Sequence, residues 1–406
     1  MKVLGMISGT SHDGIDVAVV DFEVRDGRLH GSVGYTGTVE YPQSLRDRLV
    51  RALPPAPLTF EEACVLDTLI GQAFAEAAAG AIQRGGPVEL ICSHGQTVYH
   101  WTEGQRVLGT LQIGQPAWIA ERTGVPVVAD VRIRDIVAGG QGAPIVALMD
   151  TMLLNGLPGH PAALNLGGIA NITVLRPAGR DGRGPGTSEE QSARNPLAYD
   201  TGPANALVDA AAVRISGGRS RYDAGGELAA AGTVHSGLLE HLLAEPYYAL
   251  PAPKTTGKEL FNADYVDKAL AMFPGISDLD VVATLTALTA ETVAAEVRRH
   301  GVDTLVASGG GCENPTLMAM LAARLPGVRL TTTAEFGAPT ATKEAIAFAL
   351  VGWQTVHGLA GNAPSATGAA GGRVLGTIVP GTGPLRLPDP VAVAPEVLHL
   401  TGERHE

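Results

Sequence analysis

Short apolar runs and small polar turns alternate along the chain. Lys2 to Ile7 is an apolar run that predicts a strand, Ser8 to Gly14 a turn, and Ile15 to Val24 a second strand of partly alternating character. The same shape returns at mid-chain, where Ala162 to Leu166 runs into Gly167 and Gly168 and Ile169 to Leu175 leaves it. Two hairpins of one pattern imply a duplicated architecture. Between them, a helical stretch from Phe60 to Arg84, a buried strand from Val88 to Cys92, a helix near Pro116 to Thr123 and a strand from Pro126 to Arg132 give an alternating α/β order.

Beyond the second hairpin, Arg176 to Asn195 is polar, glycine-rich and almost free of large apolar residues, which predicts a flexible insertion. A helix is expected from Ala206 to Val213, and sustained helical periodicity runs from Leu279 to His300. A strand at Thr304 to Ala307 meets Gly309, Gly310 and Gly311. Asn314 and Pro315 then suit the cap and first turn of a helix from Thr316 to Leu325. An amphipathic helix from Lys343 to Gly358, expected to lie between two domains, precedes a Gly/Ala/Pro-rich tail with a short strand near Leu375 to Pro380. This order predicts an α/β protein with one domain over residues 1–150 and a second over 151–340, which contains the 176–195 insertion. The chain from 341 to 406 is expected to return to the first domain.

Composition narrows the class. At 406 residues and 45% apolar content the chain can bury a core in each of two domains, which excludes wholesale disorder. Its 52 glycines and 27 prolines follow no Gly-X-Y period, so the glycines mark turns and close backbone approaches rather than a collagen-like fibre. A net charge of −12 without basic blocks argues against a nucleic-acid partner. Cys64, Cys92 and Cys312 have no metal-like spacing and read as reduced core cysteines. Ser8, Gly9 and Thr10 arrive too early for the apolar core of a secretion signal. No later apolar run approaches about 18 uninterrupted residues, so a soluble, cytoplasmic protein without a membrane partner is expected.

Neither a GxxxxGK[ST] nor a GxGxxG sequence occurs, so any phosphate site must be built another way. The run Gly9-Thr10-Ser11-His12-Asp13-Gly14-Ile15-Asp16 offers hydroxyls, glycine amides able to face an anion, and two carboxylates, Asp13 and Asp16, suited to a hydrated Mg²⁺. The same residue types also make an ordinary polar hairpin turn. Asp200, in the run Tyr199 to Asn205 before a helix, is the best general-base candidate. It reads equally as a helix-capping aspartate. Together, the two hairpins, Asp200 and the Gly309 turn form the set used by an actin-like ATPase, with an active-site cleft between its domains.

At these residues the chain resembles the anhydro-N-acetylmuramic acid kinases, of the actin-like, hexokinase and Hsp70 superfamily with its ribonuclease H-like duplicated core. The matching blocks are GMISGTSHDGID (Gly5 to Asp16), SHGQT (Ser93 to Thr97), TLQIG (Thr110 to Gly114), ERTGVPVVADVRIRD with GGQGAP (Glu121 to Pro144) and LNLGGIANIT (Leu164 to Thr173). They continue with DTGPAN (Asp200 to Asn205), KTTGKELFN (Lys254 to Asn262) and SGGGCENPTLMAML (Ser308 to Leu321). The resemblance implies ATP-dependent phosphorylation of 1,6-anhydro-N-acetylmuramic acid with hydrolytic opening of its ring, giving N-acetylmuramic acid 6-phosphate and ADP in peptidoglycan recycling, by a homodimer.

It further implies that Asp200 activates the water that opens the ring. Gly9 to Asp16 would hold the β- and γ-phosphates and Mg²⁺, with Asn171 and the Gly167-Gly168 turn closing over them. Gly309, Gly310, Gly311 and Asn314 would sit at adenosine. His94, Gln96, Thr97, Arg132 and Glu344 would meet the sugar, with Arg132 on the lactyl carboxylate. Bland alternatives stand beside these roles. His94 could be a satisfied core histidine, Arg132 or Arg134 could pair with Asp130 or Asp135, Glu344 could serve the helix dipole, and Lys254 and Lys258 could be plain surface residues. Two positions depart from the family pattern: His12 replaces an apolar residue, and Ala147 to Asp150 replaces a Pro-x-Phe-His run. A kinase for another anhydrosugar such as levoglucosan, or a non-catalytic nucleotide-gated sugar sensor, are the competing functions.

Overall fold

Both hairpins form, and each nucleates a sheet. The structure is a computed structural model that describes residues 1–9, 12, 14–104, 106–175, 196–257 and 259–402. The strands are β1 (Lys2–Ser8), β2 (Gly14–Arg25), β3 (Arg28–Glu40), β4 (Leu90–Glu103), β5 (Arg106–Ile113), β6 (Val127–Ala129), β7 (Pro161–Leu166), β8 (Ile169–Val174), β9 (Leu197–Pro203), β10 (Thr304–Ser308), β11 (Arg329–Thr332), β12 (Thr377–Val379) and β13 (Leu398–Gly402). The first sheet has the order β12-β6-β4-β1-β2-β3-β13, with β5 paired to β4. The second has the order β11-β10-β7-β8-β9.

One topology is written twice. In each sheet an antiparallel three-strand meander is extended, beside its first strand, by two parallel strands: β3-β2-β1-β4-β6 and β9-β8-β7-β10-β11. The repeat is the ribonuclease H-like core of actin-like ATPases. The chain divides into two compact units, Met1–Gly156 with Phe336–Glu406, and Leu157–Glu335.

In the first unit the two-residue period of the strands sorts side chains onto two faces. Leu4, Met6, Val17, Val19 and Ile91 bury against the helix Phe60–Gly85, through Leu66, Ile70, Phe74 and Ala78. Their neighbours Val3, Ala18, Val20, Leu90 and Cys92 bury against the helix Lys343–Val356. The Phe60–Gly85 helix is long and apolar enough to cross a membrane by length and composition alone, but its apolar stripe is spent on this core. The Lys343–Val356 helix is buried along nearly its whole length rather than amphipathic, which corrects the sequence reading. Gly5 lets it approach: a Cβ there would stand 1.9 Å from the Ala345 carbonyl oxygen and 2.4 Å from the Ala349 nitrogen.

In the second unit the helices Asp278–Arg299 and Pro315–Arg324 cover one face of the sheet, with Ala290, Val293, Ala294, Val297, Leu317 and Leu321 on Leu164, Ile172 and Tyr199. The opposite side of the Asp278–Arg299 helix, at Val281, Val282, Leu285 and Leu288, carries the smaller helices around Phe261. Cys92 is a core cysteine, and burial pushes its thiol up, but Cys64 is exposed, against expectation.

Candidate active site

The first hairpin is held from beneath. Gln96 lies on β4 beside Ser8 and is fully buried. Its Oε1 accepts from the Ser8 hydroxyl at 2.7 Å, and its Nε2 donates to the carbonyls of Gly9 and Thr97, each at 3.0 Å. The same hydroxyl proton is shared with the Gly14 carbonyl at 2.6 Å, tying both ends of the tip together. Gln96 thus spends its amide on the hairpin. Ile15, named with the phosphate run, buries its side chain in the core and has only backbone to offer. His12 takes a left-handed backbone, φ 56°, a conformation in which Asn, Asp and His are enriched among residues with a side chain. Thr10, Ser11 and Asp13 lie outside the described residues, as does the 176–195 insertion.

Asp16 follows on β2, opposite Thr38, whose hydroxyl donates to its carboxylate at 2.6 Å. Among the described residues no three His, Cys, Asp or Glu side chains converge to hold a metal ion. A Mg²⁺ carried on nucleotide phosphates needs no such cage, because it keeps several waters and takes one or two protein carboxylates. Asp16 is a fitting donor of that kind.

The sugar candidates of the first unit gather where β4 meets the start of the Lys343–Val356 helix. β4 runs well past Cys92, so His94, Gln96 and Thr97 are strand residues rather than a loop after a strand, and all three are buried. The Thr97 hydroxyl accepts from Gln112 at 3.3 Å. Arg132 donates through Nε to His94 Nε2 at 2.7 Å and through Nη1 to the Gly142 carbonyl at 2.6 Å. That contact fixes the imidazole as the neutral tautomer with its proton on Nδ1, which faces the Gly95 carbonyl at 3.0 Å. Burial, reinforced by the Arg132 charge, holds His94 well below the usual histidine range. Both ring nitrogens are taken, as in a satisfied core histidine, and one of them holds the Arg132 guanidinium. No ion pair joins Arg132 to Asp130 or Asp135 among the described residues; the buried Asp135 accepts instead from Gly142, Asn362 and Thr367. Burial brings Arg132 down to about 10, opposed by the charges of Glu344 and Asp135.

Glu344 opens the Lys343–Val356 helix beside this group. Burial raises its pKa, against the pull of Arg132 and Lys343. The residue that departs from the family pattern, Asp150, is buried and paired with Lys343 at 2.5 Å, and its charge also raises Glu344. The departure therefore leaves an internal ion pair where the pattern has histidine.

In the second unit Asp200 stands on β9, cross-strand from Asn171 on β8. It is not a helix cap: the helix Asn205–Ser216 is entered from Ala204, with no side chain capping it. Among the described residues the carboxylate is braced through Oδ2, which accepts from the Thr255 hydroxyl at 3.1 Å and the Thr256 amide at 3.0 Å. Burial lifts it to about 6 in spite of these bonds, and Glu259 adds to the lift. A carboxylate poised there is ionised at neutral pH yet basic enough to take a proton from water.

The Gly167-Gly168 turn spends its carbonyls on the start of the Asn205–Ser216 helix: Gly168 accepts from Ala204 and Ala206, and Gly167 from Asn205, each at 3.0 Å. Gly309, at φ 87°, lies so close to Asn165 and Leu166, and Gly311 so close to Leu166, that a Cβ at either would collide, whereas Gly310 faces open space. Asn314 caps the Pro315–Arg324 helix by accepting from Leu317 at 2.9 Å.

Lys254 overturns its reading as a surface residue. It is buried and ion-paired at 3.2 Å with Glu296 of the Asp278–Arg299 helix. Its signal in sequence was indirect: Glu296 is a lone acid inside the apolar stripe of Val293, Ala294 and Val297.

The anhydro-N-acetylmuramic acid kinase family matches residues 1–381. Proteins named anhydro-N-acetylmuramic acid kinase are similar over almost the full length. The one from Streptomyces coelicolor is 51% identical over 99% of this chain and 100% of its own. Its counterpart in Streptomyces avermitilis is 55% identical over 96% and 97%, and that of Rhodococcus erythropolis 49% identical over 98% and 99%. With a duplicated ribonuclease H-like core, a braced carboxylate on β9 and end-to-end similarity to these relatives, the chain belongs to the anhydro-N-acetylmuramic acid kinase family.

Proposed function

We propose that this protein is an ATP-dependent kinase that opens the 1,6-anhydro ring of 1,6-anhydro-N-acetylmuramic acid with water and phosphorylates oxygen 6. Its products are N-acetylmuramic acid 6-phosphate and ADP, and its place is peptidoglycan recycling. The observation that carries this reading is Asp200, a carboxylate lifted to about 6, with Oδ2 braced by Thr255 and Thr256.

Asp200 takes a proton from the water that attacks the anomeric carbon. The bond from that carbon to oxygen 6 breaks, and oxygen 6 attacks the γ-phosphorus as the bond to ADP breaks. The nucleophile thus gains its charge only as water adds, and one base serves both bond changes. The hairpin tip between Gly9 and Gly14 would receive the phosphates. Asp16, with Asp13, would hold Mg²⁺, which when bound neutralises charge on the transferring phosphoryl group. Asn171 and the Gly167-Gly168 turn would close over the phosphates, Gly309, Gly310, Gly311 and Asn314 would receive adenosine, and Arg132, oriented by His94, would meet the lactyl carboxylate with Glu344 beside it. A homodimer in the cytoplasm, acting on small molecules without nucleic-acid or membrane partners, completes the reading.

The test is ADP release with anhydro-N-acetylmuramic acid, its open-ring form and levoglucosan, run in ¹⁸O water. We expect turnover with the first, label at carbon 1 and none in the phosphate. Release with levoglucosan alone would reassign the substrate, and no release with any sugar would leave a nucleotide-gated sensor. The acid limb of kcat should lie near pH 6, with activity lost as pH falls and Asp200 protonates.

A further inference from the structure

Asp200 is attached on two sides to one buried side chain. On its own strand, the preceding residue Tyr199 donates its hydroxyl to Glu296 Oε2 at 2.9 Å. Across from it, Lys254 binds Glu296 Oε1 at 3.2 Å and donates to the Tyr248 carbonyl at 3.0 Å, with its ammonium 5.0 Å from the centre of the Tyr247 ring. The Lys254 carbonyl accepts from the Asp200 amide at 3.0 Å, and the next two residues, Thr255 and Thr256, supply both bonds to Oδ2. Tyr247 donates to the Asp200 carbonyl at 2.7 Å. Strand and bracing segment are thus tied to the same carboxylate on the same helix.

We infer that Glu296 and Lys254 form a positioning pair whose task is to hold the Lys254–Thr256 segment against Asp200, so that Oδ2 is saturated and Oδ1 is left to receive the proton. This rests on Asp200 being the base. A buried ion pair is a poor device for stability, since apolar residues of similar volume often serve as well. Its value is geometric. The pair is buried and connected at both ends to backbone that touches the base, with Arg299 also facing Glu296 at 3.4 Å and His300 facing the Tyr199 hydroxyl at 2.7 Å.

The groups facing Asp200 are Glu259 and the two threonines from the bracing segment and Tyr247 from the preceding turn; Lys254 and Glu296 lie behind them. Freeing the segment removes the two bonds that favour the ionised carboxylate while its burial remains, so the acid limb of activity should move to higher pH.

The decisive experiment compares K254M/E296Q, which removes both charges together, with the unaltered enzyme, Tyr199→Phe and Asp200→Asn. The double variant should lose roughly 10- to 100-fold in kcat through misplacement of the base, with KM for ATP within about twofold and the acid limb shifted upward. Tyr199→Phe, which deletes one hydroxyl from a buried ring, should show the same changes to a smaller degree. An unchanged kcat, or a lower kcat with the acid limb unmoved or lowered, would overturn the proposal. If the double variant does not fold, Tyr199→Phe decides by the same criteria. Asp200→Asn separates the two questions: if that variant still turns over, the base assignment fails, whereas an inactive Asp200→Asn beside an unaffected clamp variant refutes only the clamp.

Discussion

The two hairpins are the same construction put to different uses. One step before its end, β1 pairs Ile7 with Asp16 of β2, and β2 pairs Asp16 with Thr38 of β3. In the second sheet Asn165 pairs with Asn171 of β8, and Asn171 with Asp200 of β9. Each core therefore sets one carboxylate against one neutral polar residue across its second and third strands, with the carboxylate on opposite members of the pair. On β2 it has a hydroxyl donor and suits a cation. On β9 it is half-buried, braced at one oxygen and lifted to about 6, which suits proton transfer. Duplication supplied equivalent positions, and burial and hydrogen bonding gave them different chemistry.

The largest break in this comparison is Asp200→Asn. Turnover should fall by roughly 10²–10⁴-fold, the usual contribution of a general base, while titration with a non-hydrolysable ATP analogue should find affinity within about twofold. Loss of nucleotide binding in that variant would mean that the two carboxylates do not divide the labour.

Gln96→Leu attacks the other hairpin. It takes the 3.0 Å bond from the Gly9 carbonyl and leaves it the longer one from the His12 amide at 3.4 Å, a loss of about 0.5–1.5 kcal/mol. KM for ATP should rise about tenfold, with a smaller change in kcat. A defect confined to the sugar would return Gln96 to direct substrate binding.

A stability measurement sharpens the contrast. The folded pKa of Asp200 is raised, so the native state penalises its ionised form; that penalty is absent below about pH 3.8 and complete above about pH 6. Asp200→Asn should therefore stabilise the protein by about 1–3 kcal/mol at pH 7.5 and by little at pH 4, as read from denaturant midpoints. An inactive but more stable variant is the signature of a residue kept for chemistry. Destabilisation at pH 7.5 would count against the burial that drives the shift. The smallest effect is expected from Thr38→Val, which removes one hydrogen bond from Asp16. About 0.5–1.5 kcal/mol is at stake, a few-fold rise in KM for ATP and no shift in the acid limb.

Much of this was legible in the chain. The hairpins, the long helices and the Asn314 cap follow from local pattern, because strand period, helical period and capping are short-range properties. Asp200 was legible as a candidate but not as a choice. Its alternative role as a helix cap disappeared only when β9 was seen to run through Pro203. His94 and Gln96 were found by motif, but a sequence cannot show that Arg132, Ser8 and Gly9 occupy their polar atoms. Lys254 was missed because exposure is the default for lysine and its partner lies 42 residues away.

By itself the sequence determined which segments become strands and helices, that the core is duplicated and that the chain resembles a kinase family; all of these reside in local periodicity and ordered motifs. Tertiary structure alone decided which polar atoms are already satisfied, which carboxylate is lifted towards neutrality and which buried pair braces it. Desolvation and hydrogen-bond saturation depend on neighbours brought together from far along the chain, and no local pattern encodes them.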